Sequence, residues 1–235
     1  MKRLVPLIFT LLAACAEVPQ PVIPPAPKAP EGNSAIQQQA ARAARQFVQV
    51  VETVEPIAER ECRNARVRIN CDFQIVVDDR PDQAPNAFQT VDQFGRPILA
   101  FNLGLITSVR NADELAFIMG HEAAHHILKH LDRAQETATY GAVVLSGIVA
   151  LGGADAETVK NAEQLGAAIG ARTFSKDFEL EADRLGTVIA AKAGYDPVRG
   201  SLFFTRLPDP GNEFLGTHPP NAQRRQTVKD AAAAL

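Results

Sequence analysis

The chain has 235 residues, which is long enough to bury one sizeable hydrophobic core and to carry additional segments. Its composition, with 46% apolar and 22% charged residues, is ordinary for a globular protein. The formal net charge of −3 argues against nucleic-acid binding, which favours a basic surface.

The first 14 residues predict a secretory signal peptide. Lys2 and Arg3 give it a positive start, and the apolar stretch that follows is too short to span a bilayer. Small residues then lead directly to Cys15, in a pattern that resembles a bacterial lipoprotein cleavage box. We therefore expect Cys15 to be lipidated, although a plain signal peptide with an incidental cysteine is the alternative. By resemblance to sorted lipoproteins, Ala16 favours anchoring at the inner face of the outer membrane.

Residues 15–33 predict an extended tether between this anchor and a folded domain. Six prolines lie between Glu17 and Glu31, so the segment cannot form a helix or a central strand. A spacer of this kind reaches on the order of 45 Å. We expect the folded domain to occupy residues 34–235, held away from the membrane on the periplasmic side.

The N-terminal part of the domain predicts one long helix followed by a small sheet. Apolar residues recur at helical spacing from residue 36 to residue 58, and Pro56 is expected to kink or divide that helix. Cys62 and Cys71 are expected to form a disulfide in an oxidising compartment, with two free thiols as the alternative. Short strands are predicted near residues 73–77, 88–91 and 97–101.

A helix with a clear start follows the sheet. Asn111 is a suitable N-cap, and Glu114 three residues later completes the pattern of a capping box. Apolar residues continue at helical spacing as far as Leu131. The small, glycine-rich stretch 139–153 is too short and too rich in glycine to predict a transmembrane helix. It predicts a buried helix or a mobile cover of the active site, with partial membrane contact as a further alternative. Further helices are predicted for residues 156–171, 176–193, 197–206 and 221–234.

The helix that begins after Asn111 carries the zinc-site motif His-Glu-Ala-Ala-His. His121 and His125 lie one turn apart on one face, so both imidazoles can reach one metal ion. Glu122 is rotated by about 100 degrees, so it flanks the metal and can take a proton from water. On the same helix, His126 and His130 point away from the ligand face and are expected to be packed or surface histidines.

Catalytic zinc needs a third protein ligand and an open position. Glu179 and Asp183 share one face of a later predicted helix, whereas Glu181 points away from both. Glu179 can bind the metal, and Asp183 can orient a ligating histidine. The residues alone leave Glu181 open as a ligand, and a solvated acidic face is the plain alternative.

Together these segments resemble the gluzincin metallopeptidases of the HtpX and CAAX prenyl protease type. The resemblance rests on Gly120–His125 and Glu179–Asp183 and covers nearly all of the chain from about Ala35. It extends to soluble periplasmic lipoprotein members such as BepA and LoiP through shorter matching segments, which are Asn86–Phe88, Asp113–Ala116, His130, Gly194–Pro197 and Thr217–Pro219. The resemblance implies an α+β fold, in which a mostly helical zincin-type metalloprotease domain carries a small β-sheet beside the motif helix.

The resemblance also implies roles for particular residues. It makes Glu179 the third ligand of one Zn²⁺ per chain. His218 falls where BepA-like proteins carry a histidine on a loop that can occupy the open zinc position. We therefore hypothesise a displaceable fourth ligand that keeps the enzyme latent, with a histidine free of metal contact as the alternative. Arg224 is expected to contact the substrate or a transition-state oxygen, or to pair with a nearby carboxylate.

The resulting functional prediction is a zinc metalloendopeptidase that acts on unfolded or misassembled cell-envelope proteins. By the same resemblance, the strand at residues 97–101 is expected to pair with an extended substrate. One alternative is a lipoprotein with a latent zinc site that acts as a chaperone or assembly partner. Another is a zinc hydrolase of a different bond, such as an amidase, because the motif specifies water activation and not the scissile bond.

Overall fold

The structure is a computed structural model, and it describes residues 34–81, 83–211, 216 and 218–235. The predicted signal peptide, Cys15 and the predicted tether lie outside the described residues. Residues 35–235 form one unit. Their architecture confirms the prediction of a mostly helical α+β domain with a small sheet.

The secondary structure follows one order along the chain. The helices are α1 (Ser34–Asn64), α2 (Leu103–Ser108), α3 (Ala112–Ile127), α4 (His130–Leu151), α5 (Ala156–Thr173), α6 (Ser175–Lys192), α7 (Pro197–Gly200) and α8 (Asn221–Ala233). A 3-10 helix, Ser201–Arg206, follows α7 directly. The strands are β1 (Gln74–Asp78), β2 (Ala87–Val91) and β3 (Pro97–Asn102).

The three strands lie in the order β1, β3, β2. The central strand β3 pairs in parallel with β1 and antiparallel with β2. All three predicted strands are therefore confirmed within a few residues. Because β3 is the central strand, both of its edges are already hydrogen-bonded inside the sheet, and neither is free to pair with another strand.

The hydrophobic core lies between the sheet, α1 and α3. One face of α1 contributes Val50, Val54 and Ala58, and β3 contributes Leu99 and Phe101, all of them buried. Nearly every residue of α3 is buried as well, because the helix has the sheet on one side and α6 on another. The motif helix is thus a central element of the core.

In the core, α3 packs closely against α6 at two glycines. A Cβ atom built on Gly120 would lie 2.8 Å from the carbonyl oxygen of Gly186. A Cβ atom built on Gly186 would lie 2.8 Å from the backbone nitrogen of His121 and 2.9 Å from its Cα. Because any side chain would push the helices apart, glycine at both positions lets α6 approach the motif directly.

Two helix boundaries differ from the sequence-based expectation. The helix α1 is not divided, because it continues through Pro56 to Asn64, where the Cys62–Cys71 disulfide joins its end to the segment before β1. The motif helix ends at Ile127 and does not reach Leu131. Lys129, with a φ of 58°, adopts the left-handed conformation and separates α3 from α4.

Residues 139–153 are largely helical, as predicted, but the prediction that this helix is buried is wrong. The stretch forms the second half of α4, which pairs with α5 as a helical hairpin. Several of its large apolar side chains are exposed, including those of Val143, Val144 and Ile148. Of the helices in the described part of the chain, none has both the length and the apolar character needed to cross a bilayer.

The close contact at Gly186 predicts that replacing glycine with alanine lowers stability at Gly186 and raises it at Gly147. Gly186→Ala should lower the free energy of unfolding by about 1–3 kcal/mol, because the new methyl group meets rigid backbone. Gly147→Ala is the matched control, because it lies inside α4 and its Cβ would meet nothing within 4 Å. That variant should gain up to about 1 kcal/mol from helix propensity. Urea denaturation measures both, and equal stability of the two variants would contradict the packing argument.

Candidate metal centre

The start of α3 is held by side chains on both sides of the cap. Asn111 Oδ1 accepts a hydrogen bond from the backbone N–H of Glu114 at 3.0 Å, as the predicted N-cap requires. The buried Glu114 carboxylate does not bond back to Asn111. It accepts the N–H of Arg110 at 2.8 Å and pairs with Arg206 at 2.6 and 2.7 Å. These contacts fix the helix that presents the two motif histidines.

Three potential metal ligands converge where α3 meets α6. The Nε2 atoms of His121 and His125 lie 3.0 Å apart. Glu179 on α6 approaches from the other side, with one carboxylate oxygen 3.6 Å from His121 Nε2 and the other 3.4 Å from His125 Nε2. The ligand atoms of the three residues all lie within 4.8 Å of one another. The structure thus brings together the three residues expected from the sequence.

The donor set fits a zinc ion. Zinc bonds to histidine nitrogen and carboxylate oxygen are about 2.0–2.2 Å long, so tetrahedral ligand atoms lie about 3.3 Å apart. The observed separations of 3.0 to 3.6 Å are close to that spacing. Burial would raise the pKa of Glu179, but the neighbouring His121 and His125 outweigh it and hold this pKa well below its usual value. Glu179 is therefore a carboxylate, the form that binds metals.

A cleft with a volume of about 320 Å³ opens beside the three ligands. Glu122 and His125 line it from α3, and Phe88 and Gln89 line it from β2. Burial raises the pKa of the Glu122 carboxyl, whereas the neighbouring His121 acts in the opposite direction. A carboxylate with a raised pKa next to a candidate metal site is suited to accept a proton and to return it.

Asp183 and Arg224 support His121 from behind. Asp183 Oδ1 lies 3.0 Å from His121 Nδ1, so this nitrogen can donate while Nε2 faces the ligand cluster. Arg224 is buried and donates two hydrogen bonds to Asp183, at 2.8 Å from Nε and 2.7 Å from Nη2. Its Nη1 lies 3.3 Å from Glu179. Burial would raise the pKa of Asp183, but Arg224 outweighs it and lowers this pKa, which keeps Asp183 anionic.

A second chain of contacts supports His125. His130 Nδ1 lies 2.9 Å from His125 Nδ1, and His130 Nε2 lies 3.1 Å from Glu181. Burial lowers the pKa of His130 to about 4, against the opposing effect of Glu181, so the ring is neutral at pH 7. The consistent proton assignment has His125 Nδ1 donating to His130 and His130 Nε2 donating to Glu181. Arg133 fixes Glu181 at 2.5 Å.

This second support was missed in the sequence. On one continuous helix with His125, His130 would point away from the ligand face, and for this reason the sequence predicts a packed or surface histidine. The left-handed Lys129 breaks that helix, so His130 begins α4 with a different orientation and its ring returns to His125. The residue types alone also allow Glu181 as a ligand, but its carboxylate contacts His130 and Arg133. The only available signal was the coincidence of His130 with the family pattern.

His218 lies at the mouth of the ligand cluster. Its Nδ1 is 3.2 Å from Glu179 Oε2, and its side chain is 55% exposed. It also lines the cleft beside Glu122. The residue is thus close enough to the cluster to interact with it, and it can leave without opening the core.

Comparison with known proteins finds similarity to peptidases. A family model described as peptidase family M48 matches residues 44–232. A putative beta-barrel assembly-enhancing protease of Vibrio cholerae is 36% identical over 118 residues, which are 47% of this chain and 24% of that protein. The mitochondrial metalloendopeptidase OMA1 of Bos taurus is 30% identical over 141 residues, covering 52% of this chain and 26% of the relative.

A third relative, the beta-barrel assembly-enhancing protease of Escherichia coli strain K12, is 29% identical over 144 residues, covering 52% of this chain and 28% of the relative. The chain therefore spans about a quarter of the length of these three relatives.

Two buried histidines allow a test of the contact between His125 and His130. His130→Ala should lower metal affinity by about 10–100-fold, the usual effect of losing a residue that orients a ligand. His126→Ala is the control, because its Nε2 bonds to the backbone carbonyl of Asn70 and not to a metal-binding residue. That variant should lose stability but keep its metal affinity. Competition with a chromogenic chelator measures affinity, and equal losses in both variants would refute a specific role for His130.

Proposed function

This chain belongs to peptidase family M48 and is a metalloprotease, and from that premise we propose that it is a zinc-dependent endopeptidase acting on unfolded or misassembled proteins of the bacterial cell envelope. The observation that carries the proposal is the convergence of His121, His125 and Glu179 beside Glu122 in one cleft. Two nitrogens and one carboxylate oxygen are a ligand set that catalytic zinc uses in peptidases.

The residues of the cluster have separate tasks in this proposal. His121, His125 and Glu179 would hold one Zn²⁺ per chain. A zinc ion at this position supplies Lewis acidity toward the scissile carbonyl and toward a water molecule. Asp183 keeps His121 in the tautomer that leaves Nε2 free to bind, and His130 does the same for His125. Neither histidine then has to reorient when the metal binds.

Glu122 performs the proton transfers. Its carboxylate lines the cleft next to the ligands and accepts the proton of the attacking water. The same oxygen then delivers that proton to the nitrogen of the leaving amine. Burial raises the pKa of the Glu122 carboxyl, which favours acceptance of the proton in the first step. We propose Arg224 as a positioning residue for Asp183 and His121, since its guanidinium is buried and donates two hydrogen bonds to Asp183.

Substrate recognition is proposed to use β2. The expectation that residues 97–101 pair with the substrate was wrong, because this strand is β3 and both of its edges are occupied. Within the described residues, β2 has a strand partner on one side only, and its residues Ala87, Phe88 and Gln89 line the cleft. An extended polypeptide can therefore add to the β2 edge and lie across Glu122. Backbone pairing of this kind suits unfolded chains of varied sequence.

The envelope location rests on two supports. The N-terminal sequence has the pattern of a signal peptide followed by a lipidated Cys15 and a proline-rich tether at residues 15–33. Two of the relatives are named as proteases that enhance beta-barrel assembly, which suggests envelope proteins as substrates. We propose that the mature protein is held by its lipid at the inner face of the outer membrane, with the domain from residue 34 onward in the periplasm.

One observation supports a second function. His218 Nδ1 lies 3.2 Å from Glu179, and His218 lines the same cleft as Glu122. A histidine there can act as a fourth ligand and keep the enzyme latent. A latent protein with an intact cleft could bind envelope proteins as a chaperone or assembly partner. The two functions separate experimentally, because only the peptidase requires Glu122.

Removal of the proton acceptor tests the proposed mechanism. Glu122→Gln should reduce cleavage of casein by about 10²–10⁴-fold, because the amide cannot accept a proton. Its zinc content, measured by plasma emission spectroscopy, should equal that of the wild type, because Glu122 is not a ligand. Wild-type activity in this variant would exclude Glu122 as the base. If the wild-type protein and His218→Ala both hold zinc and neither cleaves casein, the binding function is favoured.

Removal of the candidate fourth ligand tests latency. His218→Ala should raise casein cleavage severalfold and weaken zinc binding slightly, because the open position is no longer contested. The double variant with Glu122→Gln serves as the control and should be inactive, which assigns the gain to the same site. If activity and zinc affinity both stay at wild-type values, His218 has no regulatory contact with the metal.

A further inference from the structure

The cleft beside Glu122 has an apolar part that the proposed mechanism does not use. Five apolar side chains from four elements line this part, which we call the apolar pocket: Phe88 of β2, Leu131 and Ala134 of α4, Ala171 of α5 and Phe178 of α6. Among the described residues that line the cleft there is no lysine or arginine, and the only carboxylates are those of Glu122 and Glu179. Away from these two, a charged side chain would lose its water and gain no ionic partner.

The apolar pocket adjoins two of the three candidate metal ligands. Phe178 directly precedes Glu179 in α6. The Phe178 ring stacks on the ring of His130, with 4.7 Å between the centroids, and His130 contacts His125. Arg133 Cζ lies 4.3 Å from the centroid of the Phe178 ring, so this ring is held in place. Because consecutive Cα atoms of a bound chain are about 3.8 Å apart, only a residue close to the scissile bond can place its side chain so near the ligands.

Two alanines set the depth of the apolar pocket. Ala134 and Ala171 are half-buried, and they lie near the base of the α4–α5 hairpin. The two backbones are in contact next to them, because a Cβ atom on Gly170 would clash with the carbonyl oxygen of Thr137. A side chain larger than alanine at either position could not turn back between the helices. It would therefore extend into the cleft and reduce the space for a substrate.

We propose that the apolar pocket binds one large uncharged side chain, aromatic or aliphatic, of the substrate residue beside the scissile bond, and that Ala134 and Ala171 limit its size. The inference rests on the proposed peptidase function and adds a side-chain requirement to the backbone pairing at β2. The cleft of about 320 Å³ is at the lower end of the range for ligand pockets, so it takes one such side chain with its backbone. Phe88 and Leu131, which are 42% and 47% exposed, lose water when the side chain enters, and this burial favours binding.

A requirement for a large apolar side chain favours unfolded substrates. Phenylalanine, leucine, isoleucine and methionine are among the residues most often buried in folded proteins. An extended segment that offers both an unpaired backbone and such a side chain is therefore rare on a folded surface and common in an unfolded or misassembled chain. Apolar contacts are non-directional, so the apolar pocket can accept several residue types of suitable size.

Three matched substitutions test the role of the two alanines. Ala134→Leu and Ala171→Leu each place a larger side chain in the apolar pocket, and Ala168→Leu is the control. Ala168 is exposed, lies one turn before Ala171 in α5 and does not line the cleft. Leucine is nearly as good a helix former as alanine, so all three substitutions suit their helices. Thermal unfolding of each variant checks that it remains folded.

The exported full-length proteins, loaded with zinc, digest a random peptide library, and mass spectrometry locates the cuts. The wild type should show large apolar residues at one position beside the cut. This preference should shift to small residues in A134L and A171L but not in A168L. For two peptides that differ only in Phe or Ala at that position, the kcat/KM ratio of Phe over Ala should fall at least about tenfold in the two pocket variants. A wild type without preference at either flanking position, or a ratio that filling does not change, would overturn the proposal.

A binding measurement separates the apolar pocket from the proposed peptidase function. The zinc-loaded E122Q protein is titrated with labelled peptides of alanine, serine and glutamine that carry one central Phe, Ala or Arg, and fluorescence anisotropy gives each Kd. The Phe peptide should bind at least about tenfold more tightly than the Ala peptide. The Arg peptide has a large but charged side chain and should bind no better than the Ala peptide. Addition of Ala171→Leu should remove the advantage of Phe.

The two assays can fail independently. If the Phe peptide is preferred in E122Q while neither the wild type nor H218A cleaves casein, the apolar pocket is supported and the peptidase function is rejected. If all three peptides bind equally while the wild type cleaves casein, the peptidase function is supported and the apolar pocket is rejected. Tight binding of the Arg peptide also rejects the apolar pocket, because it shows selection by length and not by apolar character.

Discussion

The metal centre depends on the contact between Gly120 and Gly186. A helix pair separated by ordinary side chains would hold its axes farther apart, and Glu179 would not reach the two motif histidines. With no Cβ on either residue, α6 passes directly against the backbone of His121. The same approach places Asp183 behind His121. One backbone contact thus sets a ligand and its supporting carboxylate together.

The two ligating histidines are supported in opposite ways. His121 contacts a charged group, Asp183, which is itself neutralised by the buried Arg224. His125 contacts a neutral imidazole, His130, which passes its other hydrogen bond to Glu181 at the edge of the protein. Buried charge therefore accumulates on one side of the centre only. Because an uncompensated buried carboxylate is costly, Asp183 needs the buried Arg224, whereas the pair of Arg133 and Glu181 near His125 is partly exposed to solvent.

Much of this centre follows from residue types and helical spacing. A period of 3.6 residues suffices to aim His121 and His125 at one point, and the N-cap at Asn111 shows where their helix begins. The same rule failed for His130 because it assumes an uninterrupted helix. No residue type near Lys129 announces a left-handed conformation, since neither glycine nor asparagine occupies the break. The exposure of residues 139–153 could not be predicted either, because an apolar composition does not tell whether other parts of the protein cover a helix.

The α4–α5 hairpin connects the cleft to the outside of the molecule. Its base carries His130 and Arg133, which support His125, and its other end carries the exposed Leu151. Gly141 and Gly166 bring the backbones of the two helices into close contact, so the hairpin is a tightly packed pair. Because His130 is the first residue of α4, the position of the hairpin sets the position of the His130 ring against His125.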